Sequence, residues 1–520
     1  MTYRLLTLTA LAAGQVALAA PAQAEMSPAD SWAFYQEYLS AFGYEITADT
    51  SDEGSVLRVE NLTMSMDLPD IDGNAGTISM NMGGLILTDM GDGTTRLTLP
   101  GTVPFSVSGK AQEDFTLNGE YSTTGFEMII GGTPDAVDTS FVADSFAMRL
   151  LEFVDSDGTE QVPGEISARM EGMEGTSTIL VDGGYSITQD MTAAMLGYLV
   201  DIDARETDSD SPGILNLQGE MTDLTLDGDM TLPTGLDVTD MAVALRGGYA
   251  MGMSMDFGTG RTEMRFEQDA TETQDAESFG FRSTSQGGTF AGSMGDTGIE
   301  YGTTSTDLTI AVQGSDLPFP VETTAGEAHF GLTLPLLASD DATEFGTSIT
   351  LADVAVPDML WAGIDPQGSL PHDPVTLKLA ISGLGRLFVD LVDETQMAQL
   401  GETGGAPGEV DALKIDELLL EAAGARIAGT ADLTVDNAAP SPFGPFPNAF
   451  GTADLRLTGV NGLLSNLGNM GLLPMPQVMM FSGMITQLGE PADGPDDLKA
   501  HIVMGPGGDL TVNGNPIPLQ

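Results

Sequence analysis

The feature that most constrains this chain is a two-residue alternation of apolar and polar side chains that begins after Asp52. In the segment 62–68, Leu or Met occupies every second position, and Thr, Ser or Asp occupies the positions between. A period of two places alternate side chains on opposite faces of a β-strand. The pattern therefore predicts antiparallel strands that bury one face and expose the other.

Turn signals recur between these alternating segments. Asp182-Gly183, Asp227-Gly228 and Asn513-Gly514 each stand between or beside such segments, and these dipeptides favour two-residue β-hairpins. With 65 glycines and little helical periodicity, the chain is predicted to be mainly β. The expected architecture is an elongated, curved antiparallel sheet with meander topology.

Helical patterns occur near the two ends of the chain. Ser27 is a suitable N-cap, Pro28 fits the first helical position, and Gly43 fits a left-handed C-terminal residue. The stripe between them, Trp32, Tyr35, Leu39 and Phe42, predicts a helix that packs along a sheet. Apolar positions at helical spacing return in 463–470 and 478–488. One N-terminal helix and about two C-terminal helices are expected to cover an apolar face.

The first 24 residues have the pattern of a secretory signal peptide. Arg4 precedes an apolar run from Leu5 to Ala20, and small residues at Ala22 and Ala24 predict cleavage after Ala24. The apolar run is shorter than the roughly 20 residues of a membrane-spanning helix. Neither a lipidated Cys nor a twin-arginine motif is present, so the predicted location is periplasmic, through the general export pathway.

The polar segment Arg205–Pro212 is the best candidate for a break in the mature chain. We therefore expect an N-terminal helix and β meander in 25–204, and a continuing meander with the C-terminal helices in 205–520. The alternative is one continuous domain over both ranges.

Charge and cysteine content exclude several classes of function. The chain has 77 acidic and 17 basic residues, a formal charge of −60, so nucleic acid is not an expected partner and an anionic bilayer surface is disfavoured. The acidity is interpreted as a solvated coat, with specific divalent-cation sites as the alternative. The chain has no Cys, so neither disulfides nor thiolate chemistry contributes.

Catalytic motifs are not evident. His329, His372 and His501 are the only histidines, and none has a second His at zinc-ligand spacing. No Gly-x-Ser-x-Gly elbow occurs in a strand–turn–helix context. The sequence therefore predicts a protein that is not an enzyme and uses no cofactor and no metal.

Methionine is the unusual side-chain choice, with 29 in the chain. Met251, Met253 and Met255 would lie on one face of a strand and are the candidate ligand-binding residues. Met is flexible and polarisable, so a Met-bearing face can adapt to acyl chains. The alternatives are ordinary core packing and Cu(I) binding through thioethers.

Several stretches resemble an uncharacterised alphaproteobacterial family, domain of unknown function 2125. The similarity is carried by Trp361 with the segment 365–374, by 424–430 and by 508–514, where Gly and Pro form turns. The resemblance implies a shared fold, and no catalytic residues carry over with it.

The leading functional hypothesis is a non-enzymatic periplasmic envelope protein that binds or shields lipid, or another apolar ligand, on a concave sheet face. The alternative is a structural or assembly factor that acts through contacts with envelope proteins. A hydrolase of envelope polymers is the third hypothesis. After cleavage of the signal peptide, the chain is not expected to span a membrane.

Overall fold

The computed structural model describes residues 26–517 except 72–73, 111–114, 155–159, 162–163, 204, 206–211, 237–239, 272–274 and 439–447. The predicted signal peptide and its cleavage position at Ala24 lie outside the described residues. Most of the polar segment predicted to separate 25–204 from 205–520 does so as well.

Strands dominate the described part of the chain, and they form one sheet. In chain order the strands are β1 Glu45–Asp52, β2 Val56–Ile71, β3 Asn74–Asn81, β4 Leu85–Asp89, β5 Thr95–Thr98, β6 Thr102–Lys110, β7 Phe115–Thr124, β8 Glu127–Thr133, β9 Ala136–Val154, β10 Glu160–Gln161, β11 Gly164–Val181, β12 Gly184–Asp203, β13 Gly213–Pro233 and β14 Ala250–Phe257. They continue with β15 Thr259–Gln268, β16 Glu277–Ser285, β17 Gly287–Gly295, β18 Gly298–Gly314, β19 Val321–Leu334, β20 Thr343–Val354, β21 Val375–Leu387, β22 Gly408–Ala422, β23 Ala425–Val435, β24 Ala449–Thr458, β25 Glu490–Pro491, β26 Asp497–Met504, β27 Leu510–Val512 and β28 Asn515–Ile517.

The helices lie before β1 or in the connections between strands. The helices are α1 Pro28–Ala41, α2 Met241–Arg246, α3 Asp358–Ile364, α4 Glu394–Thr403, α5 Val460–Asn469 and α6 Met475–Leu488. The N-terminal helix and the two C-terminal helices confirm the prediction, and the short helices α2, α3 and α4 were not predicted.

The sheet is an antiparallel meander, as predicted. Long neighbours such as β11, β12 and β13 pair in sequence, and the same order continues from β18 to β24. The predicted boundary at residue 204 lies in the connection between β12 and β13. These two strands pair from Gly184 to Asp203, so the sheet is continuous across that position.

Two of the three predicted hairpin turns are confirmed. Gly183 has positive φ between β11 and β12, and both Asn513 and Gly514 have positive φ between β27 and β28. The turn predicted at Asp227-Gly228 is wrong, because β13 runs straight through these residues. A Cβ on Gly228 would lie 2.8 Å from the side-chain nitrogen of Gln189, so glycine makes room there for the side chain of the neighbouring strand.

The first helix packs on one end of the sheet. The Ser27 hydroxyl accepts a hydrogen bond from the Asp30 backbone N–H at 3.1 Å, and Gly43 has a φ of 87°, which confirms both predicted helix ends. Trp32 and Phe34 of α1 are buried in a core with strand residues, although the stripe pattern did not single out Phe34. The strand residues of this core are Leu57, Val59, Leu62, Leu87, Leu97, Ile130, Val137, Ile179, Tyr185, Ile187 and Leu232.

A line of unusual backbone positions crosses the sheet, and we call it the seam. Asn61, Asp223 and Asp307 have positive φ in the middle of their strands, and Asp353 has positive φ one residue before the end of β20. Neighbouring strands place small residues opposite, so the seam runs through Gly172, Ala194, Asp223 and Gly258 and again through Asp307, Gly326 and Asp353. Asn and Asp adopt this conformation more easily than other side chains that bear a Cβ.

The seam shifts the side-chain alternation by one residue. Apolar residues of the packed face are two apart elsewhere but three apart across the seam, as in the pairs Val59 and Leu62, Ala143 and Phe146, Met170 and Met173, Ala193 and Leu196, and Met221 and Leu224. Both Val59 and Leu62 belong to the α1 core. A Cβ on Gly260 would lie 3.1 Å from the ring of Phe257, on the other side of the seam. The shift therefore keeps the apolar side chains of both halves on one side of the sheet.

Candidate functional site

The three predicted ligand-binding methionines lie on β14 and share one face. Met251 is paired with Met230 and Met294, and Met255 is paired with Leu226 and Phe290. Met253 is paired with Gly228 and Gly292, so no larger side chain covers it from either neighbouring strand. The structure thus brings the three side chains together, and their binding role stays a prediction.

The same face continues from strand to strand, and we call it the apolar face. The register places Tyr301, Phe330, Ile349, Leu379 and Leu418 on it beyond β17. On β22, β23, β24 and β26 it is continued by the ladder residues Leu420, Ile427, Leu457 and Leu498. Direct cross-strand partners always point to the same side of a sheet, so these apolar side chains lie on one surface, together with Thr303 and Thr347.

Much of the apolar face is open in the middle of the sheet. The exposed fraction is 44% for Met253, 39% for Phe330 and 42% for Leu351. Other large apolar side chains of this face with comparable exposure are Met148, Phe279, Leu334, Ile349 and Leu420. Monomeric proteins seldom expose so extended an apolar surface without a partner for it.

The largest cavity that the structure describes in this region, about 830 Å³, crosses the strands from β12 to β22. Most of its lining consists of small side chains and of the carboxylates Asp190, Asp227, Asp229 and Glu300 on the opposite, polar face, and it also includes Met253 and Tyr301. The concave shape expected for the Met-bearing face stays a prediction.

His329 lies in this polar cavity within a chain of hydroxyl groups. Its Nδ1 is 3.0 Å from the Thr304 hydroxyl, and its Nε2 is 2.9 Å from the Ser348 hydroxyl. A Ser-His-Asp triad needs a carboxylate to orient the imidazole, and here a threonine occupies that position. These contacts join β19 to its two neighbouring strands, β18 and β20.

Charge on the polar face is divided by the seam. On one side, Arg149, Arg169, Arg261, Arg265 and Arg282 stand among glutamates, and the hydrogen bond from Arg261 lowers the pKa of Glu263. On the other side, the segments 127–143, 173–193, 224–233, 250–257 and 287–306 contain carboxylates and neither Lys nor Arg. These segments carry no basic side chain of their own, but Arg96 of β5 lies 3.5 Å from the Glu127 carboxylate on this side of the seam.

The first of the three stretches behind the family resemblance, Trp361 with 365–374, includes one residue of α3 and the turn that follows this helix. The ring of Trp361 stacks on His372 at 4.3 Å, and the Asp365 carboxylate accepts a hydrogen bond from the Leu370 backbone N–H at 2.6 Å. Backbone hydrogen bonds from Ser369 and Leu370 lower the pKa of Asp365 against the effect of burial. These contacts stabilise the loop, in which the Asp365 carboxylate also lies 3.6 Å from Nε2 of His372.

Among the described residues, no group of three or more His, Asp or Glu side chains is arranged to hold a metal ion. No family model, curated protein or solved structure matches this chain. The resemblance to domain of unknown function 2125 therefore stays a prediction, and function has to be argued from the geometry.

Sequence reasoning found the three methionines but missed the residues that extend their face. Phe330 and Leu351 belong to strands that alternate in the same way as many others, and nothing in their own segments says whether a helix covers them. The signal that could have found the seam is an Asn, Asp or Gly between apolar residues three positions apart.

Proposed function

We propose that this protein is a non-enzymatic envelope protein that binds the acyl chains of lipid on its apolar face. The observation that carries the proposal is the row of partly exposed apolar side chains from β14 to β22, in which Thr303 is the one polar ladder residue between Met255 and Leu418. Transfer of apolar surface out of water is favourable by about 0.8 kcal/mol for each buried CH₂ group, so an acyl chain gains free energy by covering these residues.

The chemistry of the face favours flexible chains over a rigid ligand. Its open stretch is built from Met, Phe, Leu and Ile, and the ladder pairs carry no charged side chain between Met253 and Leu420. Met adapts its shape to irregular apolar partners. Cu(I) binding is less favoured, because phenylalanine and leucine are as prominent as methionine on the open stretch.

The proposed location is the periplasm, and it rests on the signal peptide predicted in residues 1–24. A lipid leaving a membrane needs an apolar surface while it crosses the aqueous space between membranes. An exported protein with a continuous apolar face is suited to that role.

The test is native mass spectrometry of the mature protein purified without detergent, with organic extraction of bound material. We expect stoichiometric phospholipid in the wild type. In a variant with Met253→Asp and Phe330→Asp, we expect several-fold less lipid, because both carboxylates would be introduced into the bound chain's environment. The control carries Val142→Asp and Leu180→Asp, which are equally exposed but lie on the polar face.

A wild-type protein free of lipid, or an equal loss in both variants, would contradict the proposal. In that case the assembly-factor hypothesis becomes the better one. The outermost strands argue against it, since β1 is rich in Asp and Thr and the described residues of β28, Asn515–Ile517, include Pro516. Short or charged edge strands resist pairing with another chain.

A further inference from the structure

The two C-terminal helices form an exposed hairpin without charge. From Leu457 to Gly489 the chain has no Asp, Glu, Lys, Arg or His, although the whole chain carries 77 acidic residues. This segment contains both α5 and α6. It is therefore the part of an otherwise strongly anionic molecule that can approach an apolar environment at the smallest desolvation cost.

Only a narrow stripe of α6 packs against the rest of the protein. Val478 is the one buried residue of this helix, and its methyl group approaches Gly468 of α5. The outward side carries Met479, Met480 and Met484, and Met479 is 66% exposed. A helix in which uncharged, mostly apolar residues predominate is normally buried over more of its surface than this, so the outward side of α6 lacks a partner.

The base of the hairpin is anchored firmly to the sheet. The carboxylate of Asp496 accepts hydrogen bonds from the Asn461 side chain at 3.0 Å and from the Gly462 backbone N–H at 2.9 Å. At the other end of the hairpin, the Asn513 side chain donates to the Leu488 carbonyl oxygen at 2.9 Å. The exposed methionines are therefore held in place by the fold.

The hairpin also adjoins the apolar face. It is inserted between β24 and β26, and a Cβ on Gly489 would lie 2.9 Å from the side chain of Leu498. Leu498 is paired with Leu457 on the apolar face. Lipid that enters at the hairpin would thus meet the binding surface without crossing a charged region.

We propose that the α5–α6 hairpin docks on a zwitterionic lipid bilayer and places the Met-bearing side of α6 among the headgroups and upper acyl chains. The inference rests on the proposed function, for which it names the source of the lipid. None of the described helices has the length and apolar character needed to cross a membrane, so the contact is interfacial. The formal charge of −60 disfavours anionic bilayers, which leaves zwitterionic surfaces as the matching partner.

The test is flotation of the mature protein with phosphatidylcholine vesicles. We expect the wild type to float, and we expect Met479→Asp, Met480→Asp and Met484→Asp together to lower binding at least about tenfold, because charged groups partition poorly into the interface. The matched control carries Met90→Asp, Val142→Asp and Leu180→Asp, three exposed apolar positions far from the hairpin in sequence. It adds the same charge and should stay within about twofold of the wild type.

A fluorescent reporter gives a second measurement. The two tryptophans, Trp32 and Trp361, are buried, so Phe481→Trp adds a probe on the hairpin. Its emission should shift to shorter wavelength with vesicles and be quenched by brominated acyl chains. No shift in the presence of vesicles would overturn the inference.

Bound phospholipid is counted by extraction from the same preparations, so the two proposals can fail separately. Bound lipid without flotation would overturn the bilayer inference and leave the proposed function standing. Flotation without bound lipid would overturn the proposed function and leave the bilayer inference standing. If light scattering finds a dimer that the triple hairpin variant dissociates, the hairpin is an interface between copies of this chain and the bilayer inference is wrong.

Discussion

The end of the sheet beneath α1 and the middle of the sheet around β14 to β20 carry the same alternation of side chains but have different surroundings. Beneath α1, Ile130, Val137 and Leu232 are fully buried. In the middle, Phe330 and Leu351 occupy equivalent face positions and are about two-fifths exposed. The difference comes from the helix that covers one region, since the strands themselves are built alike.

This contrast separates apolar residues that stabilise the fold from apolar residues that are available for binding. At the covered end, burial raises the pKa of Tyr35 to about 12, which reflects the loss of water around its hydroxyl. In the open stretch the side chains remain in contact with solvent and add little to folding. An exposed apolar surface that does not stabilise the fold is therefore the part of the sheet on which the proposed function rests.

The largest expected effect is the difference in stability between Leu232→Ala and Leu351→Ala. Removal of the fully buried Leu232 side chain should cost about 2–5 kcal/mol, because a cavity remains. The same change at Leu351 should cost less than about 1 kcal/mol. Hydrogen exchange of peptides from β13 and β20 measures each local free energy of opening. Equal losses of stability at Leu232 and Leu351 would show that the covered and the open regions contribute alike to folding.

A smaller effect is expected at the seam, which both regions share. Asp223→Val should destabilise the neighbouring strands by about 1–2 kcal/mol, since a β-branched residue is strained at positive φ. Asp229→Val, on the same strand but away from the seam, is the control and should be neutral or slightly stabilising. Hydrogen exchange of the 213–233 peptides distinguishes the two. If Asp229→Val is equally harmful, loss of a surface carboxylate and not backbone strain is the cause.

The meander was predictable because a period of two is a local property of each strand. Turn chemistry was less reliable: Asp182-Gly183 forms a hairpin and Asp227-Gly228 does not, although the dipeptides are identical. What separates them is the partner strand, since Gly228 lies beside the Gln189 side chain from β12. Such cross-strand contacts depend on register and are not present in the local sequence.

The candidate site was predictable only in part, for a related reason. The position of Met251, Met253 and Met255 on one face follows from strand periodicity alone. Whether that face is covered depends on where helices far along the chain pack. Helix α1 packs on strands β1, β2, β4 and β5 and reaches Tyr185 of β12 through the ring of Tyr38, whereas Met253 of β14 is 44% exposed. The α5–α6 hairpin was visible as helical periodicity, yet the exposure of its methionines depends on how the hairpin leaves the sheet.

The last strands differ from both regions, because an ion pair and not an apolar helix holds them together. Arg456 on β24 donates to both carboxylate oxygens of Asp497 on β26, at 2.9 Å and 2.7 Å. The Asp493 backbone N–H donates to the same carboxylate at 3.2 Å. These hydrogen bonds, of which those from Arg456 have the largest effect, lower the pKa of Asp497 to about 2, although burial by itself would raise it.

The smallest expected effect is therefore a pH dependence confined to this end of the sheet. A carboxyl with a lowered pKa in the folded state stabilises the fold above its unfolded pKa of about 3.9, and this contribution is lost as the pH falls toward 2. Between pH 5 and pH 2.5, peptides from β24 and β26 should lose protection from hydrogen exchange before those from β8 and β9 under α1. In Asp497→Asn, the protection of the β24 and β26 peptides should be the same at pH 5 and at pH 2.5. Asp432→Asn, at the exposed pair with Lys414, should leave it unchanged. Equal acid sensitivity at both ends would mean that the ion pair does not hold the last strands in place.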